Sequence, residues 1–81
     1  MIEVTLIPVD SSMISAIGYD ADSQTLFAEF ATTDKIYAYE EVEQEIFEEL
    51  QQANSVGGYF RANVLRCYGD WQVRRNRDLK W

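Results

Sequence analysis

The apolar pattern of this 81-residue chain changes period just after Glu40, and that change constrains the fold more than any other feature of the sequence. Side chains alternate between faces every two residues on a strand and recur every 3.6 on a helix, so a switch of period marks a switch of element. Before Glu40, Leu26, Ala28 and Phe30 share one face while Phe27 and Glu29 point the other way, and Ile36 to Glu40 continues in the same manner. That is the signature of a half-buried antiparallel sheet. From Glu41 onward, Val42, Ile46, Leu50 and Ala53 fall at spacings of four, four and three and trace one stripe of a helix about three turns long.

Turn residues divide the first part further. Ile2 to Val9 is stopped by Pro8 and by Asp10-Ser11-Ser12 and reads as a short strand at a sheet edge. Met13 to Tyr19, the turn Asp20-Ala21-Asp22-Ser23, and Thr25 to Ala31 form a hairpin. A second turn at Thr32-Thr33-Asp34-Lys35 leads to the strand that carries Tyr37 and Tyr39. Asn54 to Gly58 reads as the end of the helix, its paired glycines supplying positive φ. Phe60 and Val64, four apart, fit a short second helix, and Trp71, Val73 and Arg75 alternate as a strand or an extended tail. The expected class is α+β: an antiparallel meander of three to four strands, one helix packed on one face, a short second helix and a C-terminal extension over 67–81.

A chain of this size encloses one core, so residues 1–81 are read as a single domain with a core contributing roughly 3–5 kcal/mol. No apolar run approaches the ~20 residues of a bilayer span, and no basic, apolar leader opens the sequence. A soluble, cytoplasmic protein is expected. Cys67 is the one cysteine and histidine is absent, so neither a disulfide nor a zinc site is expected, and Cys67 reads as packed rather than reactive.

The same inventory argues against an enzyme. There is no imidazole to act as a near-neutral base, and no phosphate-binding glycine loop or nucleophile elbow. No cofactor is expected.

Charge is unevenly divided. Residues 1–60 hold twelve carboxylates against Lys35 alone, a net of −11, whereas residues 61–81 hold six cations against two carboxylates, a net of +4. Glu41, Glu45 and Glu49 are spaced as like-charged helical neighbours, an arrangement that costs about 0.2–0.5 kcal/mol per pair unless a cation relieves it. Arg74, Arg75 and Arg77 are the candidates, within one chain or from a second copy in a homodimer. Left unrelieved, the three glutamates form an acidic face for a basic protein partner.

The aromatic residues admit two readings. Tyr37 and Tyr39 must lie on the same side of their strand, where they either cover the sheet or form a stacking platform for bases or for a protein. Trp71 and Trp81, with Arg74, Arg75 and Arg77, have the chemistry of a small contact for RNA or single-stranded nucleic acid.

The order of these segments resembles the KTSC domain family. The resemblance spans residues 11–66 and is carried by Ser11-Ser12, Ile17-Gly18-Tyr19-Asp20, Leu26 to Phe30, the Tyr37-Ala38-Tyr39 pair, and Ser55, Gly57, Tyr59 and Phe60 after the helix. Arg61 departs from the asparagine-like residue usual there, and the basic tail lies outside the shared region. The resemblance implies a small stand-alone relative of a domain found at the C-terminus of some lysyl-tRNA synthetases, and RNA association follows only from that context. The expectation is therefore a non-enzymatic binding module. Its candidate contacts are Tyr37, Tyr39, Ser55, Gly57, Tyr59, Arg61, Trp71, Arg74, Arg75 and Arg77. The alternative is an acidic module, or nucleic-acid mimic, that binds a basic protein through Glu41, Glu45 and Glu49.

Overall fold

A computed structural model describes residues 2–74 and 79–80. The elements run β1 (Ile2–Glu3), β2 (Ile7–Pro8), β3 (Ile14–Asp20), β4 (Thr25–Phe30), β5 (Ile36–Tyr39), α1 (Gln44–Gln52), α2 (Val56–Asn63), β6 (Asp70–Val73) and β7 (Leu79–Lys80). Strands β2 to β6 form one antiparallel sheet in which the spatial order equals the order along the chain. Both helices are inserted between the neighbours β5 and β6. β1 and β7 pair in parallel as a separate two-stranded sheet.

The α+β class stands, and the expected three to four strands become five. The added strands are the edges. β2 is two residues long, and β6 is assigned by its register with β5, Ile36 opposite Val73 and Tyr39 opposite Asp70. Both fall in segments that the sequence reading offers as strands, Ile2 to Val9 at a sheet edge and Trp71 to Arg75 as a strand or an extended tail.

One irregularity sets the faces of β3. The register slips between Ile14 and Ala16, so Ser15 is the extra residue of a β-bulge. Ile14 and Ile17, three apart, thereby share a face with Leu26, Ala28 and Tyr39, and all five belong to the main core. Ser15 is held there by its hydroxyl, which donates to the Glu29 carbonyl at 3.2 Å and to the Glu29 carboxylate at 3.0 Å.

The helices close the main core over that face with Leu50, Val56, Phe60 and Val64, and Val42 joins them from the linker before α1. The opposite face carries a smaller cluster of Phe27, Ile36, Ala38 and Val73, covered by Val4 and Leu6 of the N-terminal segment. Gly18 lets that segment approach. A Cβ there would stand 2.8 Å from Leu6 Cδ2 and 2.9 Å from the Thr5 carbonyl oxygen.

Two helix boundaries differ from the sequence reading. The α1 helix begins at Gln44, so Val42 is not helical, and Glu41 sits at φ 57° ahead of it. Val42 is tied into the linker by its own backbone groups. Its N–H donates to the Gln24 carbonyl at 2.8 Å, and its carbonyl accepts from the Tyr19 hydroxyl. Gly57 and Gly58 lie inside the first turn of α2 and neither has positive φ. The reason for glycine at position 57 is contact: a Cβ would meet Ser11 Oγ at 3.2 Å and Met13 Cβ at 3.3 Å.

Candidate functional site

Tyr37 and Tyr39 do share a face of β5, as alternation requires, and that face lies against the main core. Tyr39 is 1% exposed, with its ring edge-on to Phe60 at 5.3 Å. Tyr37 is half-buried and meets Phe30 edge-on at 5.7 Å, and Phe30 in turn meets Phe60. The stacking-platform reading is therefore corrected for Tyr39, whose ring has no free face to offer a base. Burial raises the pKa of its phenol well above the ordinary value, with smaller contributions from Asp70 and Tyr37.

The segment from Ser55 to Arg61 is built by capping and close packing. Ser55 is the N-cap of α2 and accepts from Gly58 N–H at 3.1 Å, satisfying one of the free donors of the first turn. Ser11 caps its own turn, accepting from the N–H groups of Met13 and Ile14 at 3.2 and 3.3 Å, and so presents Met13 to Gly57. The Tyr59 hydroxyl donates to the Glu49 carboxylate at 2.6 Å and ties α2 to α1. Its phenol is pushed up to about 12, first by burial, then by the bond to Glu49 and that residue's charge, with a contribution from Tyr68. Arg61 is exposed and its guanidinium lies 3.9 Å from Met13 Sδ.

The acidic residues are arranged differently from the helical row the spacing predicts. Glu41 precedes α1 with left-handed backbone, so it is not a helical neighbour of Glu45. Glu49 is engaged by Tyr59, and Glu48 accepts from Gln44 at 3.4 Å. Glu40, Glu41, Glu43, Glu45, Glu48 and Glu49 are all exposed. None of them meets the expected Arg74 among the described residues: Arg74 follows β6 beside Ile36, at the end of β5 opposite to Glu40. Arg75 and Arg77 lie outside the described residues, as does Trp81.

Trp71 does not join the tyrosines. In the register of β6, Asp70 and Gln72 oppose Tyr39 and Tyr37, whereas Trp71 and Val73 oppose Ala38 and Ile36 on the other face. Trp71 is 42% exposed there. At the Ile36–Val73 end of the β5–β6 ladder, Glu29, Asp34, Lys35, Ile36, Gln72, Val73 and Arg74 line an open cavity of about 620 Å³. Lys35, the one cation before Arg61, was the available sequence signal for that cavity, but nothing in its neighbours marked a site.

Cys67 is exposed, which corrects the expectation that it is packed. It follows α2 in a turn where Arg66 has a φ of 65°, just beyond Val64 and Leu65, which serve the core. Among the described residues no group of three or more His, Cys, Asp or Glu side chains could hold a metal ion, and no helix is long and apolar enough to cross a membrane.

A family model described as the KTSC domain matches residues 10–68. A protein of Tsukamurella paurometabola is 44% identical over 57 residues, which make up 70% of this chain and 84% of that one. The crystal structure of a KTSC domain protein from Yersinia pestis aligns with a TM-score of 0.84 at 27% identity, covering 88% of this chain and 99% of that one.

Proposed function

The chain belongs to the KTSC domain family, and from that premise we propose that it is a non-enzymatic binding module whose partner is a basic protein. The observation that carries this reading is the exposure of Glu40, Glu41, Glu43, Glu45 and Glu48 around the start and outer side of α1, with no cation of the described residues paired to them. A field of one sign at that density attracts a basic surface and speeds its encounter. Tyr39 is buried, so of the Tyr37–Tyr39 pair only half-buried Tyr37 has surface to offer a base.

The experiment is titration of the full chain with a lysine- and arginine-rich peptide, followed by amide chemical shifts. Shifts should concentrate on residues 40–49, and Glu45→Lys with Glu48→Lys should abolish them, while the control pair Asp20→Lys with Asp22→Lys leaves them in place. Equal loss in both pairs would reduce the effect to net charge and overturn the reading.

One observation favours a second reading. Lys35 and Arg74 line the open cavity, and exposed Trp71 lies on β6, the strand that supplies Gln72 and Val73 to it, so cations and an indole of the kind that bind single-stranded nucleic acid share this edge of the sheet. This predicts oligonucleotide binding that weakens steeply with salt and is lost in Trp71→Ala. Absence of binding at low salt removes it.

A further inference from the structure

The two edges of the five-stranded sheet are built differently. β2 is two residues long and contains Pro8, which has no N–H to offer, so that edge is blunted. β6 is four residues long, Asp70-Trp71-Gln72-Val73, without proline or lysine, and Asp70, Trp71, Gln72 and the following Arg74 are exposed.

The direction of the unpaired backbone groups of β6 follows from its ladder. Glu40 N–H donates to the Gly69 carbonyl at 2.9 Å, and that pair continues the β5–β6 register of 39 with 70 and 38 with 71. In an antiparallel ladder, hydrogen-bonded pairs alternate with non-bonded ones. Gly69, Trp71 and Val73 therefore bond toward β5, and Asp70 and Gln72 aim their N–H and C=O groups at the outer edge.

We propose that a second copy of this chain docks on this edge, with β6 pairing antiparallel to β6 about a two-fold axis at Gln72. An isologous contact must be self-complementary, and this register is. Gln72 opposes Gln72, and Asp70 of each copy opposes Arg74 of the other, so opposite charges meet at both ends. Trp71 opposes Val73 of the second copy on the face that holds Phe27, Ile36 and Ala38, extending that apolar layer across the axis. The groups already aimed outward then complete their hydrogen bonds, and one sheet runs through both copies.

Sedimentation equilibrium of the full chain across a concentration series tests the contact. The wild type should approach twice the 9.4 kDa chain mass. Gln72→Pro removes only an outward N–H and should remain at the single-chain mass with an unchanged circular dichroism spectrum. Asp70→Arg and Arg74→Asp should each weaken the dimer about tenfold, because each reversal acts at both symmetric pairs, and the double variant should restore it. If Gln72→Pro fails to fold, the charge-swap series decides. A single-chain mass at every concentration, a dimer indifferent to Gln72→Pro in a folded variant, or a double variant no tighter than the singles would overturn the proposal.

Discussion

The Tyr19 hydroxyl donates its hydrogen bond to the backbone carbonyl of Val42, and so fixes where helix α1 begins. The Val42 N–H donates to the Gln24 carbonyl, so both backbone groups of this residue tie the linker ahead of Gln44 to the β3–β4 hairpin. The ring of Tyr19 lies stacked on Phe47 at 5.3 Å, which places a residue of α1 over the end of β3. Tyr19→Phe keeps the stack and deletes the donor. It should cost about 0.5–1.5 kcal/mol in urea unfolding, with faster amide exchange confined to residues 41–47.

Gly18→Ala tests the second apolar layer. The new methyl would stand 2.9 Å from a backbone carbonyl that cannot rotate away, so the N-terminal segment must lift. The expected loss is about 1–3 kcal/mol, and amides of residues 4–6 should exchange faster while those of α2 do not.

Ser55→Ala removes the cap of α2. A loss of about 0.5–2 kcal/mol is expected in thermal or urea unfolding, and Ser55→Asp should recover most of it.

Alkaline pH should unfold the domain through its phenols. Tyr39, Tyr59 and Tyr19 all have pKa values raised in the folded state, chiefly by burial, that of Tyr59 to about 12. A raised value means the folded state holds its proton where the unfolded state has released it. The stability they contribute is full below pH 10, the ordinary tyrosine value, and falls as pH rises toward about 12. Urea unfolding at stepped pH should show that decline, and Tyr59→Phe should make it shallower. An unchanged slope would mean that Tyr59 titrates alike in both states.

The sequence disclosed what depends on local period and concealed what depends on pairing. The faces of β4, the shared side of Tyr37 and Tyr39 and the stripe through Ile46 and Leu50 follow from alternation and from helical spacing. The bulge at Ser15 could not be read, because an extra residue becomes visible only against β4. Phe47 lay outside the apolar stripe and takes its role from Tyr19, a residue distant in the chain. The burial of Tyr39 required knowing that the helices return over its face, since the same alternation describes a ring in water or in a core. Family likeness through Ser11, Gly57 and Tyr59 pointed to the segment where α2 meets the β3 turn, and the contacts there are structural.

The layer formed by Phe27, Ile36 and Ala38 takes its cover from Val4 and its flank from Val73, residues near opposite ends of the described chain. That layer closes only when both ends of the described chain are in place, whereas the buried residues of the face roofed by α1 and α2 all lie between Ile14 and Val64. Fraying at either end therefore bares Phe27 and leaves the larger core untouched.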